Sequence, residues 1–209
     1  MLCLFSSKGG VGCSVAAAAI GRLSAAREPT LLVDLRGDLD LVLGTAPSPQ
    51  GLSDWFGVDQ PSPDLLQRLE VRVGDGLNLL PRGPCRSPAR PDRYRLLAKL
   101  LRFDPRRIIV DVGTHGIPAV ALLAEAETSI LVTRACFLAL DTARRGPSPD
   151  QIILVEEEGR AMQARDVAAA MGAPVEVSVR WHRDVARAVD SGLLAGPLPR
   201  RLRGLETVL

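Results

Sequence analysis

The stretch Ser6-Ser7-Lys8-Gly9-Gly10-Val11-Gly12-Cys13-Ser14 constrains this chain more than any other. It follows the short apolar run "MLCLF" and leads directly into "SVAAAAIGRLSAA", a segment dominated by alanine, the strongest helix former. Glycines at 9, 10 and 12 give the turn backbone conformations that side-chain-bearing residues avoid, so its N–H groups can converge on one point. The first N–H groups of the following helix lack intrahelical partners, and the helix dipole favours negative charge there. A strand, a glycine turn and a helix in this order make a cradle for an anion.

The rest of the chain keeps the same rhythm. Strands are expected at 2–5, 30–35, 77–80, 107–112, 129–133, 151–155 and 174–179, and helices at 14–27, 90–102, 116–125, 160–171 and 183–191. The strand runs are continuously apolar rather than alternating, which fits strands covered on both faces. Strand–helix alternation of this kind predicts an α/β domain with a doubly wound, mostly parallel sheet and helices on both faces. With 209 residues, 46% of them hydrophobic, the chain is long enough for one well-buried domain over 1–209, and nothing in it marks a second. The Pro-, Gly- and Ser-rich stretches 44–64 and 81–91 read as mobile surface connections, and "GPSPD" at 146–150 as a turn before the strand "QIILV".

A net charge of +2 gives no electrostatic case for a dedicated nucleic-acid binder, although arginines at 102–107 and 200–203 leave nonspecific DNA contact as an option. Of the 26 basic residues only Lys8 and Lys99 are lysines, which makes the lysine in the glycine turn stand out. Cys3, Cys13, Cys85 and Cys136 show no CxxC or metal-ligand spacing, and no signal peptide or long apolar span is visible. A reduced, cytoplasmic setting is the expectation.

Set against the P-loop pattern GxxxxGK[ST], the turn departs twice: its first glycine falls on Ser6 or Ser7, and its lysine on Cys13. The arrangement K-G-G-x-G-x-S resembles instead the deviant P-loop of the MinD/ParA family of dimeric, ATP-driven spatial regulators. "TLLVDLRGDLDLVLG" at 30–44 is similar to that family's second strand and switch I, "RRIIVDVGTHG" at 106–116 to its Walker B strand and switch II, and "VARAVDSG" at 185–192 to a helix near its C-terminus. The resemblance runs in order through about residues 1–192, and its flavour is that of the short CpaE/TadZ-like branch, whose partners belong to pilus or septal machinery.

The resemblance implies ATP and Mg²⁺ as cofactors, held by Lys8, Gly9, Gly10, Val11, Gly12, Cys13 and Ser14. It gives Lys8 a reach across a homodimer to the partner's nucleotide, Ser14, Asp34 and Asp111 to the metal, and Lys8 and Asp34 to catalysis. Two departures matter. Cys13 stands where the family has its phosphate lysine, and Arg36 where it has a second, hydrolytic switch I aspartate. A thiol neither spans that distance nor neutralises phosphate, and the missing charge-assisted contact is worth about 1.5–3 kcal/mol. Binding survives such a loss more easily than turnover does. Arg36 is a candidate to supply the charge instead.

The loop Glu156-Glu157-Glu158-Gly159, where the family has an asparagine near adenine, reads as a solvated acidic loop, with repulsion of a triphosphate as the alternative. Cys13 reads as a space-filling residue, with a redox-sensitive thiol as the alternative. His115 and His182 lack ligand-like neighbours, and Trp55, Phe56 and Trp181 read as core closure or a partner surface. In residues 193–209, Leu198, Leu202, Leu205 and Leu209 recur at helical spacing between arginines. That tail is expected to pack on its own domain or a dimer partner, with peripheral membrane contact as the alternative. Three functions remain open: a scaffold with a degenerate nucleotide site, recruited to membrane or pole by partners; a cycling ATPase; and a structural module that dimerises without nucleotide.

Overall fold

The computed structural model describes residues 1–85 and 89–209, with the backbone alone at Ile117; residues 86–88 of the expected 81–91 connection lie outside the described residues. The chain runs β1 (Leu2–Ser6), α1 (Cys13–Ala25), β2 (Thr30–Asp34), α2 (Leu39–Leu43), α3 (Leu52–Gly57), α4 (Pro63–Arg68), β3 (Val71–Gly74), β4 (Leu77–Leu80) and α5 (Pro91–Arg102). It continues through β5 (Arg107–Thr114), α6 (Ile117–Leu123), β6 (Thr128–Arg134), α7 (Phe137–Ala143), β7 (Gln151–Glu156), α8 (Ala164–Met171), β8 (Val175–Arg180), α9 (Arg183–Asp190) and a C-terminal 3₁₀ helix, Arg200–Val208.

The strands form one sheet in the order β3-β4-β2-β5-β1-β6-β7-β8, parallel except for the edge strand β3. Side-chain alternation splits each central strand between two cores. Cys3 and Phe5 of β1 face α3, α5, α6 and α7 around Trp55, Tyr94, Leu97 and Leu140. Leu2 and Leu4 face α1, α2 and the 3₁₀ helix around Ile20, Leu39, Leu202 and Leu205. Residues 16–19, four buried alanines, let α1 lie close against the sheet.

Two expectations need correction. The stretch 44–64 is not wholly loop: it contains α3, whose Trp55 is fully buried beside Phe56 and Tyr94 and donates its indole N–H to the Ser62 carbonyl. The tail is a 3₁₀ helix rather than an α-helix, and it buries Leu202, Leu205 and Val208. Its Glu206 pairs with Arg27 just beyond α1. The apolar side of the tail is thus spent on its own domain. Among the described residues no helix is long and apolar enough to cross a membrane.

At one point the ends of α2 and of α9 touch backbone to backbone. Gly44, just after α2, and Gly192, just after α9, both hold left-handed conformations (φ +70° and +61°). A Cβ on Gly44 would collide with the Gly192 carbonyl oxygen, and one on Gly192 would lie 2.9 Å from Gly44 Cα.

Candidate functional site

Strand order reverses around β1, whose neighbours β5 and β6 lie far from it in sequence. In doubly wound sheets such a reversal opens a crevice beyond the carboxyl ends of the strands, and that is where ligands bind. The glycine turn, 7–12, fills this place. Ser7 Oγ donates to the Ala139 carbonyl at 2.8 Å and Ser6 Oγ to the Gly113 carbonyl at 3.3 Å, fixing the start of the turn. Gly10 (φ +76°) and Gly12 (φ +96°) take left-handed conformations, and Gly12 caps α1 with no side chain in the way. No acidic residue occupies the first turn of α1. The helix N-terminus therefore opens onto a cavity of about 200 Å³ lined by residues 9–15 together with Ser6, Arg36, Asp38, Val42, Gly113 and Thr114.

Two carboxylates stand at the base of this crevice. Asp34, the last residue of β2, pairs in direct register with Asp111 inside the neighbouring strand β5, and both are buried. Asp111 Oδ1 accepts the Cys13 thiol at 3.4 Å and the Gly113 N–H at 3.0 Å, while Oδ2 is buried with no hydrogen-bond partner. Burial pushes its pKa up, opposed by the Ser14 hydroxyl, the Cys13 thiol and the Gly113 N–H. A buried anionic oxygen without a partner, beside a hydroxyl at a helix N-terminus, fits a hard divalent cation that completes its shell with water and phosphate. Ser14 and Asp111 would hold it. Among the described residues there is no cluster of three or more His, Cys, Asp or Glu side chains suited to a metal.

Asp34 is engaged by the backbone that follows it. Its Oδ1 accepts the N–H groups of Arg36, at 2.8 Å, and Gly37, and its Oδ2 accepts that of Leu39 at 2.9 Å. The carboxylate folds the turn 35–38 over the crevice and starts α2. Burial, reinforced by the neighbouring Asp111 and opposed by those N–H bonds, pushes its pKa up to about 6.

Lys8 is half-buried and does not line the 200 Å³ cavity. Its charge acts on the other side of the turn, where it helps hold the Cys136 thiol and the Glu157 carboxyl below their ordinary values. Cys13 sits deep, its thiol pushed well up by burial and by Asp111, which suits a packing residue and not a reactive one.

Beyond Gly10–Gly12 a second, more apolar cavity of about 300 Å³ lies between Val15, Val155, Val179, Trp181, Val185 and Val189, and it is closed by Leu202 and Leu205 of the 3₁₀ helix. The acidic loop does not enter it. Glu157 is held by Arg134 at 2.6 Å and Arg160 at 2.9 Å, and residues 156–158 line a separate depression with Arg160 and Met162. Arg134, which sequence reasoning did not single out, also donates to the Gly10 carbonyl and so braces the turn. His182 Nδ1 accepts the Asp184 N–H and caps α9.

These features decide the fold. It is that of the MinD/ParA P-loop NTPases. A MinD septum site-determining protein from Pyrococcus horikoshii, complexed with Mg-ADP, superposes with a TM-score of 0.79 at 19% identity, covering 99% of this chain and 93% of the other. A ParA family ATPase from Chlorobium tepidum gives 0.77 at 21% identity, covering 98% and 95%. The MinC:MinD cell division complex of Aquifex aeolicus gives 0.75 at 17%, covering 91% and 85%. No protein-family profile and no curated protein sequence matches the chain.

Proposed function

We propose that this chain is a MinD/ParA-type spatial regulator that binds Mg-ATP in the glycine-turn crevice and hydrolyses it slowly if at all. The observation that carries the reading is the orphan Asp111 Oδ2, buried beside Ser14 at the open N-terminus of α1. The turn's N–H groups would hold the phosphates, Ser14 and Asp111 the cation, and the apolar cavity behind Gly12 is large enough for a base. Bound Mg²⁺ supplies charge neutralisation to the outer phosphates. Hydrolysis is expected to be slow because Cys13 stands in place of the lysine and Arg36 in place of the second switch I aspartate. Of the structural neighbours named above, one is a septum site-determining protein complexed with Mg-ADP, one a ParA family ATPase and one a cell division protein in complex with MinC, and the same kind of partnership is the expectation here.

Dimerisation through the crevice face completes the reading. The charge of Lys8 is felt at Cys136, and the next two residues, Phe137 and Leu138, are 79% and 61% exposed. An apolar pair next to a lysine, on the rim of a nucleotide crevice, suits a second copy of the chain covering it. Pilus or septal machinery of the CpaE/TadZ-like kind is the partner class that the sequence resemblance supports.

Thermal unfolding with Mg-ATP titrated to millimolar tests the reading, with Ser14→Ala and Asp111→Ala alongside. Ligand at a hundredfold its Kd adds about 2.7 kcal/mol, or roughly 5–11 °C for a domain of this size. A shift abolished by both variants is expected, together with doubling of mass by light scattering. Absence of any shift would establish the nucleotide-independent module instead.

A further inference from the structure

We propose that Arg36 is the phosphate-neutralising cation of this site, delivered from the switch I turn in place of a lysine from the glycine turn. The proposal rests on the nucleotide reading above and adds to it the residue that makes binding possible without that lysine.

Among the described residues lining the 200 Å³ cavity, Arg36 is the one cationic side chain. Its position is built rather than accidental. The backbone N–H of Arg36 is pinned to the buried Asp34 carboxylate at 2.8 Å, which fixes where the side chain begins. Its stem lies across Gly113, with Cβ, Cγ and Cδ at 3.3–3.8 Å from where a Gly113 Cβ would stand. The guanidinium then reaches the turn itself, its Nη2 3.7 Å from where a Gly9 Cβ would stand. Both supports are glycines, so the arm passes between the turn and the end of β5 without obstruction. Asp38 accepts Nε at 3.1 Å and holds the guanidinium from one edge over the crevice.

This places a planar, permanently charged group at the mouth of the cradle, which Lys8 does not line. The planar fork of arginine suits phosphate, which it grips through two parallel N–H bonds. Cys13 lies beneath it, and the positive charge of Arg36 acts on the thiol. Position 13 and Arg36 therefore address one phosphate region from two directions. A cation is needed there once, not twice.

That redundancy supplies the test. Mg-ATP affinity is measured by titration calorimetry on the full chain for wild type, Arg36→Ala, Cys13→Lys and the double variant, with tripolyphosphate as a probe lacking base and ribose. Arg36→Ala should weaken Mg-ATP ten- to a hundredfold, and tripolyphosphate in parallel, when position 13 is cysteine. With lysine at 13 the same replacement should cost under threefold. Equal losses in both backgrounds, or no loss with cysteine, would overturn the proposal. Should Cys13→Lys fail to fold, Arg36→Lys against Arg36→Gln decides it: the lysine variant should keep most of the affinity and the glutamine variant lose it, and equal loss would mean that charge is not the point. Wild type that binds no Mg-ATP overturns both this proposal and the proposed function. Wild type that binds while Arg36→Ala binds equally well overturns this one alone.

Discussion

Replacing Gly44 by alanine strikes the contact that fastens α2 to α9. Two terms add. The residue sits at φ +70°, and holding a side-chain-bearing residue in that region costs about 1–2 kcal/mol. The new Cβ would also run into the Gly192 carbonyl oxygen, with backbone on both sides and no flexible side chain to yield, an overpacking that costs about 1–3 kcal/mol. The sum, about 2–5 kcal/mol, is a large share of the 5–15 kcal/mol that holds a typical domain folded. At roughly 2–4 °C per kcal/mol for a chain of this size, the melting point should fall by about 4–20 °C. Gly159→Ala is the control, because Gly159 has a similar φ of +78° but nothing within 4 Å of its added Cβ. It isolates the conformational term. Gly192→Ala crowds the same gap from the other side, so the double variant should lose less than the sum of the singles. Thermal unfolding followed by circular dichroism gives all four values. If Gly44→Ala melts no lower than Gly159→Ala, the collision is not real and the two helices are not fastened there.

Three further outcomes are expected. Leu205→Ala, at a fully buried position of the 3₁₀ helix, should cost about 2–5 kcal/mol in urea unfolding, and a cost below 0.5 kcal/mol would show the tail undocked in solution. Asp104, whose desolvation is outweighed by its bonds to Arg106, titrates below the ordinary aspartate value of 3.8, so it contributes stability above that pH and loses it as pH falls through the lowered value. Asp104→Asn should therefore be less stable than wild type at pH 7, with the gap narrowing toward pH 3; a gap that is constant with pH would contradict this. In alkylation of the native protein followed by peptide mass mapping, Cys136 should react readily, since N–H groups of residues 139 and 138 and the charges of Lys8 and Arg160 lower its pKa; Cys3 and Cys13, buried and pushed up, should react only on unfolding.

The sheet was legible because its central strands are buried on both faces. Runs such as "RIIVDV" and "SILVT" have no polar alternation to confuse the reading, and they fall within one or two residues of β5 and β6. What escaped was shaped by its neighbours. β3 is an edge strand of four half-buried or exposed residues whose pairing with β4 is tertiary. α7 is seven residues long and buries Ala139, Leu140 and Ala143 while leaving Phe137 and Leu138 exposed, so apolar residues stand on both its faces and blur the helical pattern. The glycine turn was legible from its residues, since left-handed backbone at Gly10 and Gly12 is a local demand. Which way the side chains around it point was not. Glu157 turns to Arg134 and Arg160 rather than toward the crevice, and Leu202 and Leu205 come from the far end of the chain to close the second cavity.

The cost of Asp111 separates the nucleotide-binding reading from the structural-module one. A buried acceptor without a partner costs about 1–3 kcal/mol, more when charged. A module that never met a ligand would have no use for a buried charge at 111, where Oδ1 serves the weak Cys13 donor and the Gly113 N–H and Oδ2 serves nothing. The crevice also keeps a helix N-terminus without acidic residues in its first turn and two left-handed glycines that give the turn no packing of their own. Each of these features weakens the isolated domain, and each becomes favourable when a polyphosphate and its cation occupy the crevice. The same balance predicts that Asp111→Asn, which removes the buried charge and keeps an oxygen for the Gly113 N–H, raises the melting point of the ligand-free protein while abolishing any Mg-ATP shift. A variant that lowers the melting point and keeps the shift would remove the argument.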